Sequence, residues 1–244
     1  MILDLTARAI LMPVLVAQAV YLRARALQLP EPPGPRRGQV GQGPTLRLLI
    51  IGDSSAAGVG VATQDEALLG QLTGRLGQVA TIDYTLIART GAKTGEVLGW
   101  LDDLPERTYD VVVLAMGVND VTKVVPLRRW LAQQAALVDR FASEFGARRV
   151  IVSGLPPVHQ FPLLPQPLRW VLGRQAKRFD RHLRVLVAAR DHCTAVHVDV
   201  ALGPHNMSED GFHPGPVVYA AWAKTICDSI IDDPALLDPA RDRP

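Results

Sequence analysis

Short runs of aliphatic, often β-branched residues alternate along this chain with longer stretches of helical periodicity, and that alternation leaves few folds open. Runs such as Leu48-Leu49-Ile50-Ile51 and Val111-Val112-Val113-Leu114 have no polar face to offer water. They suit strands buried on both sides, and the helices between them supply the cover. Strands are expected over 47–51, 81–88, 111–116, 150–153 and 196–200, and helices over 65–76, 94–104, 127–145, 167–190 and 217–231. Thr94 reads as a helix N-cap, and Gly146, just past Phe145, as a helix stop. The expected architecture is α/β, with a five-stranded parallel sheet. At 244 residues, 48% of them apolar, one domain can bury such a core.

Ahead of the alternating region, Ala9 to Leu22 is uncharged and mostly apolar. As a helix it would be about 21 Å long, short of the ~30 Å hydrocarbon core, which disfavours a spanning segment. Asp4 lies in the leading region, Pro13 interrupts the run, and Arg23, Arg25, Arg36 and Arg37 follow it. Positive charge behind an apolar run opposes translocation. The reading is a retained N-terminal helix over 1–28, docked on the domain or resting on the cytoplasmic membrane surface, with a cleaved export signal as the rival. The Pro/Gly-rich stretch 29–45 can be neither helix nor central strand and reads as an extended linker. The main folded domain follows over 46–232, then a polar tail over 233–244.

The formal net charge is only +2. The arginines are scattered along expected helices rather than massed in a stripe, which argues against a nucleic-acid partner. Arg174, Lys177, Arg178, Arg181 and Arg184 read as a solvated helix surface. Cys193 and Cys227 have no metal-ligand spacing, so no metal site is expected. Both read as small reduced core residues.

Four segments fall just after different expected strands: Gly52-Asp53-Ser54-Ser55, Thr90-Gly91, Gly117-Val118-Asn119-Asp120 and Asp210-Gly211-Phe212-His213-Pro214. In an open parallel sheet these positions converge on the one edge where ligands bind. Together they hold the parts of nucleophilic catalysis. Ser54 is the nucleophile, His213 the base that takes its proton, and Asp210 the carboxylate that fixes the imidazole tautomer. The Ser54 and Gly91 backbone N–H groups and the Asn119 amide are the expected oxyanion donors. Asp53 and Asp120 read as loop-ordering acceptors. His205 is a weaker base candidate, and His159, His182, His192 and His197 read as surface or satisfied core groups.

On these residues the sequence resembles the SGNH hydrolases, also called GDSL esterases and lipases, from about Leu46 to Ile231. The matching positions are Ser54, Gly91, Asn119 and His213, with Asp210 as the triad acid. Ala88-Arg89-Thr90 lacks the asparagine often found there, so Arg89 is given no catalytic part. The resemblance implies a flavodoxin-like three-layer α/β/α fold, no cofactor, and hydrolysis of esters or related acyl bonds through an acyl-serine. The expected partner is a small or lipid-like acyl ester. A thioesterase or lysophospholipase, a carbohydrate deacetylase and an acyltransferase stay open within the family, and a non-catalytic ligand-binding module outside it.

Two other classes fit poorly. The loop from Gly52 to Gly60 lacks the third glycine and the Lys-Ser/Thr of nucleotide-binding loops, and the chain has no Gly-x-Ser-x-Gly elbow of an α/β-hydrolase. Between Leu155 and Trp170, the residues Phe161, Leu163, Leu164 and Trp170 are too apolar for an idle loop. They are read as the wall of a pocket for short to medium acyl chains, with packing on the N-terminal helix as the alternative.

Overall fold

A computed structural model describes residues 2–105 and 107–237, with 2–10 as helix backbone only. Of the expected tail, 238–244 lies outside the described residues. The strands are β1 (Arg37–Val40), β2 (Thr45–Gly52), β3 (Thr81–Ala88), β4 (Val111–Ala115), β5 (Arg149–Ser153) and β6 (Cys193–Val196). The helices are α1 (Ile2–Arg25), α2 (Ser54–Ala57), α3 (Leu68–Leu76), α4 (Thr94–Trp100), α5 (Val118–Thr122), α6 (Leu127–Ser143), α7 (Leu168–Ala188) and α8 (Pro216–Ile231).

The strands form one sheet in the order β1-β3-β2-β4-β5-β6, parallel except for β1, which pairs antiparallel with β3. Alternate residues of each buried run feed two cores. Leu49, Ile51, Val112 and Leu114 pack under α4, α6 and α7, while Leu48, Ile50, Val111 and Val113 pack under α3 and α8. This is a three-layer α/β/α sandwich. After β2 the chain steps to β3 on one side and then returns to β4 on the other. The end of β2 is therefore the topological switch point, where sheets of this kind form a crevice. Gly52 sits at that point. A Cβ there would meet the Ala115 carbonyl oxygen at 2.0 Å, so only glycine lets β2 lie against β4 immediately before Ser54.

Three expectations need correction. The sheet has a sixth strand, β1, inside the stretch read as a linker. An antiparallel edge tolerates a segment flanked by Pro35 and Gly41 where a central strand would not. The last strand spans Cys193–Val196 rather than 196–200, because the chain leaves the sheet where His197 turns to pair with Asp180. Thr94 is the first residue of α4 rather than its cap. Its hydroxyl donates to the buried Asp120 at 2.8 Å.

Helix α1 packs on the domain. Leu15 is buried, Gln18 Nε2 donates to the Gln166 carbonyl at 2.6 Å, and Gln18 Oε1 accepts from the Leu168 N–H at 3.1 Å. Met12, Val14, Val16, Val20 and Tyr21 stay exposed. Among the described residues no helix is long and apolar enough to cross a membrane. Cys193 and Cys227 are free thiols, and burial pushes the Cys193 thiol up to about 11.

Candidate active site

The short helix α2 begins at Ser54, directly off β2. Asp53 caps it, its carboxylate accepting from the Ser55 N–H at 3.0 Å and the Ser55 hydroxyl at 2.7 Å. Burial pushes the Asp53 carboxyl up, against the lowering effect of those two bonds. As the first residue of the helix, Ser54 has a backbone N–H without an intrahelical partner.

Ser54 Oγ lies 2.9 Å from His213 Nε2, and His213 Nδ1 lies 2.5 Å from Asp210 Oδ2. The other oxygen of Asp210 accepts from the Ser208 hydroxyl and from the backbone N–H groups of Phe212 and His213, at 2.7, 2.8 and 2.9 Å. Burial alone would raise this carboxyl, but the bonds from His213, Ser208 and Phe212 outweigh it and hold Asp210 far below the usual carboxylate range. Asp210 therefore stays ionised beside the imidazole, which keeps the Nδ1 proton in place and leaves Nε2 facing the hydroxyl. Phe212 packs edge-on against the His213 ring, and Phe161 packs edge-on against Phe212, each pair with ring centroids 5.3 Å apart.

The loops after β3 and β4, the strands on either side of β2, are joined to each other through Asn119 and Ala92. Gly91 has φ +80°, a backbone conformation that L side chains rarely adopt. Among the described residues its N–H has no acceptor. The Asn119 amide donates to the Ala92 carbonyl at 3.0 Å and approaches Asp53 Oδ2 at 3.3 Å. The second contact is long, leaving one amide hydrogen only weakly engaged. As expected for loop-ordering groups, Asp53 holds Ser55 and Asp120 holds the N–H and hydroxyl of Thr94.

The loop carrying Gly91 is held from both sides by residues the sequence did not single out. Lys123 Nζ donates to the Gly91 carbonyl at 2.6 Å. Glu31, inside the supposed linker, accepts from the Thr90 N–H at 2.8 Å and the Thr90 hydroxyl at 2.7 Å, while Arg36 binds its other oxygen at 2.5 Å. Neither residue lies in a local motif. The only sequence sign was a carboxylate followed five residues later by an arginine.

A cavity of about 390 Å³ opens beside Ser54 and His213. It runs past the C-terminal ends of β4 and β5 to α7 and the chain after β6. Of the four residues expected in its wall, Phe161 lines it. Leu163, Leu164 and Trp170 do not. Leu164 is buried in the core, the Leu163 N–H is spent on the Gly211 carbonyl, and Trp170 faces solvent under the Arg174 guanidinium. His205 is also outside it. The far end is bordered by Lys177 and Arg184 of α7, both exposed as expected of a solvated helix surface, together with Asp180 and His197. Asp180 accepts from His197 Nε2 at 2.8 Å, from the Leu155 N–H at 3.0 Å and from Arg184 Nε at 2.8 Å. Among the described residues no cluster of His, Cys, Asp and Glu could hold a metal ion.

Residues 50–221 match the model of the GDSL-like lipase/acylhydrolase family. No curated protein gives a significant sequence match. Among solved structures, the chain is similar to a psychrotrophic esterase, EstA, from Pseudoalteromonas sp., at 20% identity and TM-score 0.58, over 76% of this chain and 97% of that one. It is similar to TesA at 21% and 0.61, over 78% and 99%. It is also similar to a family 3 carbohydrate esterase from Clostridium thermocellum at 18% and 0.62, over 80% and 100%. These likenesses speak for the fold.

Proposed function

The chain belongs to the GDSL-like lipase/acylhydrolase family, and from that premise we propose that it is a serine esterase that cleaves carboxylic esters of short to medium acyl chains through an acyl-serine. The observation that carries this reading is the unbroken line from Asp210 through His213 to the Ser54 hydroxyl, with contacts of 2.5 and 2.9 Å. Ser54 Oγ attacks the ester carbonyl carbon as His213 Nε2 takes its proton. Asp210 stabilises the imidazolium without itself accepting the proton. The carbonyl oxygen gains negative charge, facing the Ser54 and Gly91 N–H groups and the Asn119 amide. His213 then returns the proton to the departing alcohol. Water, deprotonated by the same nitrogen, releases the acid and restores Ser54.

The mostly apolar cavity beside Ser54 supports an acyl chain of limited length, and Phe161 both lines it and braces Phe212. A panel of p-nitrophenyl esters of increasing chain length, extended to thioesters and sugar acetates, tests the reading. Oxygen esters of short to medium chains are expected to react fastest. A clear preference for thioesters or sugar acetates would replace the substrate class, and an absence of turnover on every ester would overturn the proposal.

The exposed apolar face of α1, with Arg23 and Arg25 in its last turn, supports peripheral contact with a membrane surface. Co-sedimentation with anionic vesicles, diminished by Val16→Asp and Val20→Asp, is the expected result. Equal recovery of the wild type and both variants would reject it.

A further inference from the structure

The cavity is chemically different at its two ends. Beside Ser54 stands the carboxyl of Asp53, with Asp210 behind His213; at the far end stand the exposed Lys177 and Arg184, with His197 and Asp180. Asp180 is spent on His197, Leu155 and Arg184. Among the described residues Lys177 has no hydrogen-bond or ion-pair partner, so a cation is left over there. Gly173, Lys177, Asp180 and Arg184 recur at helical spacing, so α7 turns one side towards the cavity. The walls between the two ends are largely apolar, with Met116, Leu155, Phe161 and Val218 among them.

We propose that the preferred substrate is an ester with an anion at the remote end of one arm, a chain of methylene groups crossing the apolar stretch to place that anion against Lys177 and Arg184. This rests on the esterase reading and narrows its substrate class. The acidic end near Ser54 disfavours the anion and the left-over cation of Lys177, with Arg184 beside it, attracts it, so both ends act to orient the molecule. The anion belongs to the acyl arm, as in a half-ester of a dicarboxylic acid, or to the alcohol arm. The shared chemistry is the same.

Two substrate series separate these sources. In one, p-nitrophenyl half-esters of dicarboxylic acids from adipate to sebacate are compared with esters of the methyl-ended acids of equal length. In the other, acetates of ω-hydroxy acids are compared with acetates of the plain alcohols. The readout is the ratio of kcat/KM for charged over neutral substrate. A ratio of about three- to tenfold is expected in one series, shrinking at high salt. Lys177→Glu should drive that ratio below one and Arg184→Gln should lower it. Arg178→Glu, an exposed reversal on the same helix outside the cavity, should leave it standing. Turnover of neutral esters with ratios near one in both series would overturn the anion proposal and leave the esterase reading intact. If Arg178→Glu erased the ratio as fully as Lys177→Glu, the preference would come from the overall field and the assigned site would be wrong. No turnover of any ester would bring down the esterase reading and this proposal with it.

Discussion

One cavity is lined by the histidines of two aspartate–histidine pairs, and only one of the pairs is built to move a proton. In the Asp210–His213 pair the carboxylate holds Nδ1, and Nε2 meets the Ser54 hydroxyl at 2.9 Å. In the Asp180–His197 pair it is Nε2 that the carboxylate holds, at 2.8 Å, and the same carboxylate also binds Arg184 and the Leu155 N–H. Both carboxyls lie below the usual range, each because hydrogen bonds to the ionised form outweigh burial. A low carboxylate and a neighbouring imidazole are therefore not enough. What separates the pairs is which ring nitrogen is left over and what stands beside it.

The sharpest way to break this contrast is to remove each imidazole in turn. Ser54→Ala or His213→Ala should lower kcat on the order of 10⁶-fold, whereas His197→Ala should cost less than about tenfold. Comparable losses at the two histidines would erase the distinction. Next come the carboxylates. Asp210→Asn should cost kcat about 10⁴-fold through the wrong tautomer, while Asp180→Asn should act chiefly on stability, by about 1–3 kcal/mol near neutral pH. Because the folded-state value of Asp180 is depressed, its contribution is present above the unfolded carboxylate range and disappears as pH falls through the folded value. Thermal melts from pH 7 down to acid should show the gap between wild type and Asp180→Asn closing. A gap that widened would reverse the sign.

Smaller effects sharpen the catalytic side. Asn119→Ala should lower kcat about 10²- to 10³-fold with little change in KM. Glu31→Ala should free the Thr90–Gly91 peptide, with a loss on the order of tenfold, below the ~10²-fold that a 1 Å misplacement can cost. Glu31→Gln keeps an acceptor for both Thr90 bonds and should restore most of the rate. A KM effect in place of the kcat effect would make Glu31 a substrate contact rather than a positioning residue.

The catalytic pair was legible in the sequence and its counterpart was not, for a physical reason. Ser54 and Asn119 each follow a strand that ends in a continuous buried run, Gly91 follows the more mixed β3, and Asp210 and His213 share one loop, so a local pattern plus the convergence rule of parallel sheets brings them together. Asp180 and His197 belong to a helix and to the chain beyond the edge strand, with no motif joining them. Lys177 and Arg184 are exposed, as a solvated helical face should be; that the same side of α7 borders the cavity is decided by packing that no local pattern encodes. The same limit misled the reading of Leu164 and Trp170, whose apolarity said they would be covered or used but not by which neighbour. It also hid β1 and Glu31, since a Pro/Gly-rich stretch excludes a central strand but not an edge strand held by side chains.

The central claim is that Ser54 alone among the hydroxyls is activated. Treating the full chain with a fluorophosphonate and mapping the modified peptide by mass tests it most directly. A single adduct is expected, on Ser54, lost in His213→Ala and retained in His197→Ala. An adduct on another residue, or labelling of Ser54 that does not depend on His213, would contradict the account.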